Sequence, residues 1–259
     1  MSSIKTRVGR AGADDYDHFG VRVFRDLVGK TSYLGLIAFA ITGRKLSRED
    51  EQVLDDVAVC SHVPEPRVWP MKLTRVVGSL GRPMPAFLCG STVLDSDLLG
   101  GRVAGAASEL LLELSAAVAG KPDRAAAIET FVRNHSRMIG FGVPVRSVDE
   151  RVVALRKQLT ARGRTNRFYW DLGEAFWAIA KDTRGLVVNI IGAVAAVCLD
   201  LGFRPHEVAP MAAMLLQPTL LSNSVEAAAE PAAALHTLPR ASVDYTGPAP
   251  RTSPRANKG

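Results

Sequence analysis

The chain has 259 residues, 47% of them apolar but only 6% aromatic, and carries 32 Lys and Arg against 26 Asp and Glu, a formal charge of +6. The excess sits at the ends: Lys5, Arg7 and Arg10 supply three positive charges, and Arg240, Arg251, Arg255 and Lys258 against Asp244 supply three more, so residues 14–239 are neutral. A neutral body (14–239) between basic tails (1–13 and 240–259) is a poor footprint for a nucleic-acid groove, and no nucleic-acid partner is expected.

Chain order gives a mostly helical reading. Asp17–Val28 and Ser32–Thr42 have helical apolar spacing, with Gly29 and Gly43 placed as stops. Ser47 to Asp50 reads as a capping start for a helix from Asp50 to Cys60. Pro64, Pro66 and Pro70 punctuate a loop after His62. Val103–Val118 is rich in Ala and Leu and ends at Gly120-Lys121-Pro122. Asp123 opens a helix through Arg137, the loop Gly140–Ser147 follows, and Val148–Arg162 is amphipathic. Phe168–Lys181, Leu186–Leu201 and Glu207–Leu216 complete the set. No run of alternating β-branched residues argues for a sheet, so the expected class is all-α.

The longest uncharged run, Val208–Val225, is broken by Pro210 and Pro218 and carries Gln217 and Asn223. It reads as an interrupted core helix rather than a membrane span, and no membrane partner is expected. Cys60, Cys89 and Cys198 are widely spaced in apolar surroundings, as reduced buried thiols are. The N-terminal MSSIKTRVGRAG lacks an apolar signal core, so a cytoplasmic location is expected. Nothing has the spacing of a metal cluster, a phosphate loop or a serine-nucleophile elbow.

One stretch is dense in possible chemistry: Gly140-Phe141-Gly142-Val143, then Asp149-Glu150-Arg151. It resembles the signature of citrate synthases and citryl-CoA lyases, in which a histidine follows Gly-x-Gly and an Asp-x-Arg comes shortly after. Other pieces follow in family order. Cys60-Ser61-His62 resembles an Asp-His segment, Leu98-Leu99-Gly100-Gly101 a His-Gly-Gly turn, and Asn189-Ile190-Ile191-Gly192 an Asn-Val-Asp-Gly. Leu238-Pro239-Arg240 and Tyr245-Thr246-Gly247-Pro248 resemble the closing Arg-Pro and Tyr-x-Gly-Pro.

The resemblance implies an all-helical large domain, an inserted small domain of about residues 100–190, a homodimer, and an active site between the domains. It places the three acid–base positions at Ile191, Leu99 and Val143. These aliphatic side chains cannot move protons or donate hydrogen bonds, which carbanion chemistry requires. It also implies that His62 binds an oxo-acid, Arg151 clamps a carboxylate, Arg146 lies near the phosphates of coenzyme A, and Arg240 substitutes for the tail arginine at Leu238.

Each residue also has a plainer reading: His62 as a surface or capping residue, Arg151 as the partner of Asp149 or Glu150. His135 is either a solvated residue or a relocated base. Asp171, beside Phe168, Tyr169 and Trp170, is either a helix cap or a base whose pKa the aromatics raise. Two functions remain. The first is a divergent enzyme with a more apolar pocket, built by Leu99, Val143 and Ile191. It would form, cleave or cyclise C–C bonds in a carbonyl or carboxylate substrate of specialised metabolism. A coenzyme A thioester would be an admissible substrate, and no other cofactor is required. The second is a non-catalytic relative that binds a metabolite or a partner enzyme.

Overall fold

The protein is described from a computed structural model that defines residues 3–143, 147–230 and 239–249. It opens with a feature that the periodicity misassigned. β1 (Gly9–Ala11), β2 (Tyr16–His18) and β3 (Val21–Arg22) form a small antiparallel sheet in the order β1-β2-β3. Phe19 (φ 48°) and Gly20 (φ 81°) close a two-residue hairpin between the partners His18 and Val21. Two successive left-handed residues match the twist of paired strands, and they interrupt any helix. Asp17 bonds to Arg10 at 2.7 Å and to Arg22 at 3.2 Å, clamping the two outer strands. The helix expected over Asp17–Val28 is therefore reduced to α1 (Val23–Asp26), and the all-α expectation gains this small sheet.

Among the described residues eleven further α-helices follow: α2 (Tyr33–Thr42), α3 (Arg48–Ser61), α4 (Trp69–Gly78), α5 (Pro83–Val93), α6 (Gly101–Val118), α7 (Arg124–Asn134), α8 (Glu150–Ala161), α9 (Phe168–Arg184), α10 (Ile190–Asp200), α11 (Pro205–Leu215) and α12 (Gln217–Ala229). Ser32 and Ser47 cap α2 and α3 by accepting the N–H groups of Gly35 and Asp50. Of the prolines read as loop punctuation, Pro64 and Pro66 lie in the loop after His62, whereas Pro70 opens a helix. Pro70, Pro83, Pro205 and Pro218 all lie in first turns, where the missing N–H has no helical partner to lose.

α10 is the centre of the molecule. Residues 192–199 are buried on every face, as a helix surrounded by others must be, and it packs on α6, α9 and α11. Trp170, Phe176, Leu111 and Leu114 complete the main core around it. A second, smaller cluster of Met71, Leu94 and Leu220 joins α4, α5 and α12. There Gly78 lies against Ala227, and Gly90 against Thr74 and Leu220, so the helices approach closely. Cys198 is fully buried, and burial pushes its thiol up to about 12. Cys60, Cys89 and Cys198 are all free. Among the described residues no helix is long and apolar enough to cross a membrane.

Candidate functional site

The glycine loop, the Asp-x-Arg segment and the Asn189 segment form one unit. Gly142 N–H donates to Val187 O at 2.8 Å, and Asn189 N–H donates to Gly140 O at 3.0 Å, pairing the loop with the approach to α10. Asn189 serves both sides. Its Oδ1 accepts the N–H groups of Ile191 and Gly192, capping α10, while its Nδ2 donates to Phe141 O and Gly142 O. Gly140 has φ +86°, and a Cβ there would lie 2.8 Å from Gly192 Cα. Both glycines are required by that contact.

Asp149 ties the Asp-x-Arg segment to the same point. Its carboxylate, 1% exposed, accepts the Arg151 N–H (3.0 Å), the Arg151 guanidinium (Nε 2.8 Å, Nη2 2.7 Å) and the Ile190 N–H (2.9 Å). Burial pushes this carboxyl's pKa up. The Arg151 hydrogen bond and charge, with the two backbone N–H groups, outweigh it and hold the group below the ordinary carboxylate range. The carboxylate that Arg151 clamps is therefore the chain's own.

Beside this unit lies a cleft of about 850 Å³ between the two hydrophobic clusters. Val68, Met71, Leu94 and Leu99 line it from the smaller cluster, and Met138, Phe141, Ile190 and Ile191 from the larger. Its charged lining consists of Asp97, Arg102, Glu109, Arg137 and Arg151, with His206 beside them.

The expected site residues divide. Leu99, Ile191 and Arg151 reach the cleft; Val143 does not, although its neighbour Gly142 does. His62 is exposed at the C-cap of α3, and Thr219, which lines the cleft, holds its Nδ1 at 3.0 Å. Two expected bases are elsewhere. Asp171 sits on the exposed first turn of α9 and bonds to Arg124 at 2.8 Å, while the cap of that helix is supplied by Asp200, which accepts the N–H groups of Tyr169 and Trp170. His135 stacks on Phe131 and meets Glu113 at 3.2 Å, away from the cleft. The polar partners of both, Arg124 and Glu113, lie outside the cleft. Arg240 lies in an exposed 3-10 turn and does not line the cleft; Arg146 falls outside the described residues. Glu109, Arg137 and His206 were missed as site residues. They belong to no motif: Glu109 and His206 come together where α6 packs beside α11, and Arg137 joins them from the loop after α7.

No protein-family model matches the sequence, and no curated protein matches it. Solved structures do. The citryl-CoA lyase of Hydrogenobacter thermophilus superposes with a TM-score of 0.79 at 19% identity, over 99% of each chain. An ATP citrate lyase from Methanosaeta concilii, solved in complex with (3S)-citryl-CoA, gives 0.70 at 15% identity over 96% of this chain, which spans 42% of that one. The citrate synthase of Thermoplasma acidophilum, solved with carboxymethyl coenzyme A and oxaloacetate, gives 0.59 at 17% identity over 86% of this chain and 58% of that one. The chain thus has the citrate synthase and citryl-CoA lyase fold, and at these identities the likeness concerns the fold.

Proposed function

We propose that the cleft binds a small carbonyl or carboxylate compound with an apolar body and makes, breaks or rearranges its carbon skeleton. A coenzyme A thioester is one admissible form of that substrate. The carrying observation is the composition of the cleft: aliphatic Leu99 and Ile191 beside an arginine rim of Arg102, Arg137 and Arg151. Apolar area removed from water is worth about 25 cal/mol per Å², so such walls favour an apolar ligand body. Arg102 and Arg151 are paired with Asp97 and Asp149, so the Arg137 guanidinium orients its anionic end. The alternative, a non-catalytic binder of a metabolite, draws support from Arg151 being committed to Asp149 and from Asp171 and His135 lying elsewhere.

A thiol-release assay tests the chemistry. With acetyl-CoA and oxaloacetate, or with citryl-CoA, purified protein should stay at background, since acid–base groups contribute about 10²–10⁴-fold and the expected positions hold aliphatic side chains. Robust turnover would reject the reading. Mass spectrometry of small molecules released on denaturation should instead recover an apolar acid or thioester.

The homodimer reading draws on exposed apolar side chains of α4, α5 and α12 and the turn between α4 and α5: Leu73, Leu80, Met84, Leu88, Leu221 and Val225. Grouped exposed apolar side chains mark contact surfaces. Sedimentation at micromolar concentration should show twice the 27.8 kDa chain mass; monomer alone would remove this reading.

A further inference from the structure

The polar side of the cleft carries both signs of charge. Along α6 the residues that reach it are Arg102, Val103, Gly105, Ala106 and Glu109, one face of the helix. Glu109 therefore stands two turns, about 10 Å, beyond Arg102. α6 and α11 run antiparallel, because Gly101 abuts Ala209 and Ala213 whereas Gly105 abuts Pro205 and Ala209. Glu109, one turn further along, is level with the start of α11, where His206 also lines the cleft. One turn beyond it, Glu113 reaches His135. The chain from His135 to Arg137 thus passes beside the Glu109 turn, and Arg137 lines the cleft as well.

The other charges in the cleft are already spoken for. Arg102 pairs with Asp97 at 3.3 Å and Arg151 with Asp149 at 2.7 Å. Glu109 and Arg137 have no hydrogen bond or ion pair among the described residues. Both are exposed, so in the open cleft water solvates them. A ligand that fills the cleft displaces that water, and a charge dehydrated without a partner is unfavourable. A polyanion would satisfy Arg137 and set its charge against Glu109. A neutral apolar molecule would leave both without partners. An ammonium beside a carboxylate satisfies the two together.

We propose that the cleft selects an amphiphilic α-amino acid or a close analogue, with Glu109 holding the ammonium and Arg137 the carboxylate. The apolar body lies over the low helix surface at Gly105 and Ala106, towards Leu99 and Ile191. This inference rests on the reading of the cleft as a carboxylate site and makes Glu109 its specificity-determining residue.

Calorimetric titration of the full chain with 2-aminooctanoate, octanoate and citrate tests it. The amino acid should bind at least about tenfold more tightly than octanoate, the scale of one charged hydrogen bond. Glu109→Gln should bring the two to parity, and Arg137→Ala should weaken both. Melting temperatures of these surface variants check their folding, and the ranking on the unsubstituted chain decides the ligand class by itself. If octanoate equals 2-aminooctanoate, or Glu109→Gln leaves the preference intact, the role of Glu109 is wrong and the carboxylate site stands. Citrate binding most tightly overturns the amino-acid ligand and the apolar ligand body, and no probe binding overturns the carboxylate site as well.

Discussion

Replacing Asp149 with alanine should destabilise the protein by about 3–5 kcal/mol, the scale for breaking a buried ion pair. Three elements lose their junction together: α8 loses its cap, the Arg151 guanidinium loses its partner, and the Ile190 N–H that starts α10 is left buried and unpaired. Arg151→Ala should cost a comparable amount, because it leaves a carboxylate 1% exposed without its cation. A substrate anchor alone would cost affinity and little stability. The pH dependence has a defined sign. A carboxyl with a depressed folded-state pKa contributes stability above its unfolded value, near 3.8, and loses that contribution as pH falls through the lower folded value. The gap between wild type and Asp149→Ala in urea denaturation should therefore be full at pH 7 and narrow below about pH 4. A gap under 1 kcal/mol at pH 7, or one unchanged in acid, would contradict this account.

Gly140→Ala should cost about 2–4 kcal/mol, against about 1 kcal/mol for Gly142→Ala. Both glycines have positive φ, +86° and +97°, so alanine is strained at either. They differ in their surroundings. A Cβ at 140 meets Gly192 Cα at 2.8 Å, whereas a Cβ at 142 has no neighbour within 4 Å. The partner at Gly192 is backbone in the first turn of a buried helix, capped by Asn189, and cannot retreat cheaply. Subtracting the two effects isolates the close approach of the loop to α10. Equal destabilisation of the two variants would mean that backbone strain alone requires these glycines.

Much of the helical framework was legible because capped amphipathic segments such as α3 and α8 carry their own punctuation. The hairpin at Phe19-Gly20 was not, since its short strands share apolar spacing with a helix and only the two left-handed residues decide. α4, α5 and α12 were obscured by prolines whose meaning depends on the turn in which they fall. The site was half legible. Motif spacing located the Gly140, Asp149 and Asn189 junction because those residues act through local backbone. Glu109 reaches the cleft through helix packing and Arg137 from the loop after α7, and tertiary placement of this kind leaves no local pattern. Asp171 looked interesting for its aromatic neighbours, yet its carboxylate turns outward to Arg124.

The junction also bears on how such a protein changes through evolution. Gly140, Asp149, Asn189 and Gly192 serve the backbone: two permit a close approach, one caps α10, and one fastens two segments together. Positions 99 and 191 face the cleft and take no part in that fastening by side chain. Selection for a folded chain alone would preserve the first group whatever happened to any reaction, while the second is free to drift. The motif skeleton therefore reports on architecture, and substitutions at 99 and 191 can exchange one ligand for another without dismantling it.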